Sequence, residues 1–144
     1  MAMDLIILGD QDLTNLNLEK VVALVERMKA HPSRVDVPVI HRFSDGIYIR
    51  EVHVPAGTAI VTMMHRVEHP FVLSMGSVLV YPLGGAPVCL NAPHTGITKP
   101  GTLRLVVTLT DVVWTTFHAT KETDIEKLEK ELVLSPREAL ELGY

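Results

Sequence analysis

Hydrophobic positions change their period twice along the chain. The apolar residues Leu18, Val21, Val22, Leu24, Val25 and Met28 follow the i, i+3, i+4, i+7 spacing of one helix face. Asn15 or Asn17 supplies an N-cap, and His31-Pro32 ends the helix because a residue before proline is pushed out of the α region. From about Val39 the period shortens. Ile47–Val54 mixes alternation with β-branched residues, and Pro55-Ala56-Gly57 then turns the chain. Short apolar runs follow at Thr58–Met64, Phe71–Ser74, Ser77–Tyr81, Pro87–Asn91, Thr102–Thr110 and Val112–His118. Gly76, Pro82, Gly84-Gly85, Pro93, Gly96, Pro100-Gly101 and Asp111 separate them as turn formers. Seven or more short strands at this spacing predict a β-sandwich or barrel.

The helical pattern returns after residue 120. Thr123-Asp-Ile-Glu126 has the form of a capping box opening a helix with Ile125, Leu128 and Leu132 on one face. Ser135-Pro136-Arg-Glu138 has the same form, with proline at the first helical position, where its missing N–H costs nothing. Both are structural devices.

Composition narrows the class. At 144 residues, 47% apolar and 21% charged, the chain suits one globular domain and is too apolar for general disorder. The expected division is a helical N-terminal extension over 1–38, a β-barrel over 39–120 and C-terminal helices over 121–144. No apolar run approaches the roughly 20 residues of a membrane span. Leu5–Leu8 lacks a basic flank, so no signal peptide is expected, and the lone Cys89 suits a cytoplasmic protein. Lys121–Tyr144 holds seven acidic and four basic residues, supplying most of the net charge of −4. No basic stripe is left to neutralise phosphates, which argues against nucleic acid as a partner.

The segment Gly57–Gly76 carries the candidate chemistry. His65 and His69 on one straight strand would stand about 13 Å apart, too far for one ion, so a shared metal needs a helix or a bend. His65-Arg-Val-Glu68-His69 fits the H-x-x-E-H pattern of inverted zinc metallopeptidases. Pro70, the flanking glycines and the β-type neighbours oppose that helix. The bend is favoured: a strand ending at His65, a turn through Arg66-Val67-Glu68, and a strand starting near His69.

The spacing Gly57-x5-Met63-x-His65-x3-His69-x6-Gly76 resembles the first motif of the cupin superfamily, in which two histidines and a glutamate bind one divalent metal inside a small jelly-roll barrel. Met63 stands at the first histidine's position and His69 at the glutamate's. Arg104, in Pro100-Gly-Thr-Leu-Arg104, stands where the second motif would place its histidine. From about Ile47 to Glu131 the chain is also similar to small cupin-like proteins of tailed bacteriophages and prophages, a group without a settled function. The features carrying this are Arg50…Pro55-Ala-Gly-Thr58, His65-x3-His69, Ala92-Pro93, Pro100-Gly-Thr-x-Arg104, Asp111-x2-Trp114-Thr-Thr-x-His118 and Thr123-Asp-Ile-Glu126. The resemblance implies a mainly β, cupin-type jelly-roll β-barrel with an N-terminal amphipathic helix and C-terminal helices. It also implies a homodimer in the cytoplasm, the host's if the protein is phage-encoded. Leu128 and Leu132 serve either the dimer interface or the chain's own barrel.

His118 is a third candidate ligand, because a jelly roll places the last strand beside the one carrying His69. By the period of two, Trp114, Thr116 and His118 share a face. The alternative is that His118 caps a strand end or bonds a backbone carbonyl. His65, His69 and His118 would leave an open fourth position on a divalent transition metal (Zn, Fe, Mn or Ni), as catalytic zinc sites do. Met63 offers only a weak, soft thioether. Arg104 either pairs with a structural acid or binds an anionic ligand. Trp114 either packs in the core or stacks on a ligand, and Glu68 is either a solvent-facing turn residue or a general base. His31, His41 and His94 are read as surface residues beside prolines or in loops, and His53 as facing either way. Two functions remain: a metal-dependent enzyme acting on a small polar or anionic molecule, or a binding or assembly module with a degenerate site.

Overall fold

The computed structural model describes residues 2–4, 13, 15–32 and 35–144. In chain order the elements are β1 (Ala2–Asp4), α1 (Leu18–Ala30), β2 (Val39–Ser44), β3 (Ile47–Val54), β4 (Thr58–Val61), β5 (Met64–His65), β6 (His69–Met75) and β7 (Ser77–Pro82). There follow β8 (Val88–Asn91), β9 (His94–Thr98), β10 (Arg104–Thr108), β11 (Val112–Ala119), α2 (Ile125–Leu132), β12 (Val133–Leu134) and α3 (Pro136–Glu141). The strands form two antiparallel five-stranded sheets, β1-β4-β10-β7-β8 and β2-β3-β11-β6-β9, with β12 and β5 as a separate pair. The expected jelly roll is present, but as two facing sheets. Among the described residues no ladder joins them into the closed barrel that the sequence led us to expect.

Alternation within the strands explains how the layers are held. In the first sheet, Ala59, Val61, Leu105 and Val107 face α1 and bury its Leu18, Val21, Leu24, Val25 and Met28. The intervening Val78, Val80 and Val106 face inward and meet Val54, Leu73 and Val112 of the second sheet. α1 is capped by Asn17, whose side chain accepts from the Lys20 N–H at 2.8 Å, and ends at His31 as expected.

Each terminal extension also contributes a strand. β1 pairs with β4, and β12, between the last two helices, pairs with β5. α2 packs Leu128 and Leu132 onto Tyr48, so these two leucines cover the chain's own sandwich and present no free apolar face. Its N-cap is Asp124, which accepts from the Lys127 N–H, one residue later than the predicted capping box. The backbone N–H groups of Thr123 and Asp124 instead donate to Glu122. The box at Ser135 and Glu138 forms as predicted.

Two glycines differ in role. Gly76 adopts φ +88°, and a Cβ there would lie 2.1 Å from the Asp111 carbonyl oxygen, so this turn admits no side chain. Gly96, expected in a turn, lies inside β9, where its missing side chain leaves room for the Phe71 ring.

Candidate metal centre

The bend between His65 and His69 exists. β5 ends at His65 and β6 begins at His69. The His65 backbone is fixed on both sides: β12 pairs Val133 opposite it, and the Gly101 N–H donates to its carbonyl at 3.0 Å. The Pro100-Gly101 turn, read in the sequence as a degenerate ligand motif, therefore positions a histidine.

The second sheet delivers the other two rings. β11 pairs with β6 at Thr116↔Phe71, and two further steps along that register set His118 opposite His69. On its other side β11 pairs with β3, with His118 directly opposite Tyr48. Ring centroids lie 4.3 Å apart for His65 and His69, 4.9 Å for His65 and His118, and 4.6 Å for His69 and His118. All three histidines are buried. One ligand nitrogen from each lies within 4.8 Å of the others. An ion with bonds of about 2.0–2.1 Å needs nitrogens roughly 3.3 Å apart, so each ring has less than about 1 Å to close.

Hydrogen bonding leaves donors in place for such an ion. His69 Nδ1–H donates to the Val67 carbonyl at 3.4 Å, which leaves Nε2 its lone pair. His118 Nε2 bonds Thr116 Oγ1 at 2.8 Å, leaving Nδ1. His65 Nδ1 is buried and no partner meets it at hydrogen-bonding geometry, although the Met63 backbone acts on this ring. An orphaned polar atom of this kind costs about 1–3 kcal/mol unless something satisfies it. The donor set is nitrogen only, which fits zinc or nickel better than manganese.

Electrostatics keep the rings neutral. Burial, then the neighbouring His69, pushes the His65 imidazole down to about 4, against an opposing interaction with the Met63 backbone and with smaller repulsion from Arg50 and Arg104. Burial, then His69 and His65, pushes His118 down to about 3. His69 is lowered too, mainly by burial and further by Arg104. Neutral imidazole is the form that ligates metals.

The triad adjoins a cavity of about 480 Å³ between the sheets, lined among others by His65, His69, Arg50, Arg104, Met63 and Trp114. Arg104 Nη2–H donates to Thr98 Oγ1 at 2.8 Å, its guanidinium lies 5.5 Å from the Phe71 ring centre, and its Nε is buried without a partner. Trp114 stacks on Phe71 at 4.6 Å. Met63 and Trp114 thus both line the cavity, and Trp114 packs on Phe71.

Other candidates stand elsewhere. Glu68 is half-exposed and ion-pairs with Lys99. His53 alternates with the cavity-lining Val52 and Val54, and its Nε2 bonds Glu51, itself paired with Arg42. His41 is exposed, as expected of a surface residue, though on strand β2, and His94, beside Pro93, is half-buried on β9. His41 Nδ1 bonds the Tyr48 hydroxyl at 2.6 Å, and His94 lies against Phe71. The sequence reading missed Arg50, which faces the cavity from β3 opposite Thr116. The Ile47–Val54 alternation placed Arg50 on one face with Tyr48, Val52 and Val54 but did not say which face is internal.

No known protein-family model matches the chain, and no curated protein matches it. Solved structures do. An RmlC-like cupin family protein of Methanocaldococcus jannaschii with a double-stranded β-helix fold superposes with a TM-score of 0.50 at 10% identity, over 65% of this chain and 86% of its own. A cupin superfamily protein of Desulfitobacterium hafniense gives 0.50 at 8% identity, over 60% of this chain and 79% of its own. A putative ethanolamine utilization protein Q of Salmonella typhimurium gives 0.50 at 10% identity, over 61% and 72%. The chain thus has the fold of cupin proteins, with three buried histidines close enough together that they could bind a metal.

Proposed function

We propose that this protein binds a divalent transition metal through His65, His69 and His118, and a small anionic ligand in the adjoining cavity. The observation that carries the reading is the buried, nitrogen-only triad whose ligand atoms lie within 4.8 Å of one another. Zinc or nickel suits these donors, and the fourth position would face the cavity. A bound ion would supply Lewis acidity there. Thr116 and the Val67 carbonyl hold the His118 and His69 rings in their ligating orientations, while Arg104 orients the ligand.

The choice between enzyme and binding module turns on acid–base groups. Glu68 is tied to Lys99 at the surface, and Asp36, the one carboxylate lining the cavity among the described residues, is exposed. That shortage favours a ligand-binding module of the phage cupin type, working as a homodimer in the cytoplasm. Metal analysis of protein purified without a histidine tag tests the reading. About one transition-metal ion per chain, removed by chelation with loss of thermal stability, is expected. A metal-free protein whose melting is unchanged by added zinc or nickel would overturn it.

A further inference from the structure

The cavity carries more positive charge than its own residues balance. Arg50 enters from β3 in one sheet and Arg104 from β10 in the other, so both sheets bring a guanidinium to the cavity lining. Neither forms an ion pair with a carboxylate among the described residues. Glu129, exposed on α2, acts on Arg50 only at longer range, and Asp36, which lines the cavity, is exposed and pairs with neither arginine. Arg104 is nevertheless held in place by Thr98 and Phe71, with its buried Nε unused. A guanidinium fixed this way, with donors left over, is prepared for an anion at little ordering cost.

Much of the remaining wall is apolar. Val52, Val54, Ile60, Val78, Val106 and Val112 line it with Trp114, while Thr62, Thr98, Thr108 and Thr116 bring hydroxyls to other parts of it. Along the valine stretch a hydroxyl group finds no partner, whereas branched aliphatic groups gain by burial.

We propose that the cavity takes a small monocarboxylate with a branched apolar body, its carboxylate held by Arg50 and Arg104 beside the triad and its body against the valine wall. The proposal deepens the anionic-ligand part of the function above and does not require the metal.

Trp114 is the chain's only tryptophan and lines the cavity, so its fluorescence reports occupancy. The experiment titrates chelator-treated protein with 3-methylbutanoate, acetate, 3-methylbutanamide and inorganic phosphate, then repeats the series with zinc added. Saturable binding of 3-methylbutanoate is expected, about tenfold or more tighter than acetate or the amide, and tighter than phosphate. Arg104→Met and Arg50→Met should each weaken it by about tenfold or more, and Arg104→Lys by less, in variants whose melting shows that they fold. Equal binding of acid and amide, preference for phosphate, or no saturable response would overturn the proposal, and these readings on the unmodified protein do not depend on any variant. Because the chelated arm contains no metal, failure of the metal reading leaves its outcome intact, and failure here leaves the metal site untouched.

Discussion

Lowering the pH should destabilise the metal-free protein through its three buried imidazoles. His65 titrates near 4 in the folded chain against 6.5 when unperturbed. Its folded value is depressed, so as pH falls below about 6.5 the unfolded chain takes up the proton first. The stability contributed by keeping His65 neutral is complete above that pH and drains away as pH falls toward 4. At 1.36 kcal/mol per pH unit, that depression corresponds to a loss on the order of 3 kcal/mol for this ring. His118, held down to about 3, shares the same repulsions, so its loss does not add in full to that of His65. The assay is urea unfolding with chelator present, at half-unit steps from pH 7.5 to 4.5, on wild type and on His65→Gln. Wild type should lose stability with a slope approaching or exceeding one proton per molecule below pH 6, and the variant should show a shallower slope. Equal slopes in the two proteins, or wild-type stability that holds constant from pH 6.5 to 4.5, would refute the electrostatic picture of the triad.

Zinc at a hundredfold excess over its dissociation constant should stabilise the protein by about 2.7 kcal/mol, and calorimetry should find this gain absent in His69→Ala. Gly76→Ala forces a Cβ into the Asp111 carbonyl at a positive φ. It should lower the urea midpoint by the equivalent of about 3 kcal/mol or prevent folding, whereas Gly57→Ala, with open space around it, should cost only about 1 kcal/mol. Leu128→Ala removes a fully buried contact with Tyr48, with an expected cost of about 2–5 kcal/mol in the same assay.

How much of this was legible in the sequence depended on whether the signal was local. The bend between His65 and His69 followed from Pro70 and strand geometry, because a straight strand cannot bring the rings together. His118 followed from side-chain alternation along β11 plus one assumption about strand order. Arg50 did not, since its role depends on the β3–β11 register, a nonlocal pairing. The Thr123 capping box failed by one residue because Glu122 competes for the N–H groups of Thr123 and Asp124. Gly96 was misread as a turn because a glycine that makes room for an aromatic ring looks the same in sequence as one that bends the chain.

The most direct test of the triad as a metal site is an anomalous difference map, at the zinc absorption edge, from crystals grown with zinc. The predicted result is one peak per chain with nitrogens of His65, His69 and His118 at about 2.0–2.1 Å. No peak among the three rings, or zinc bound only at surface residues, would contradict it.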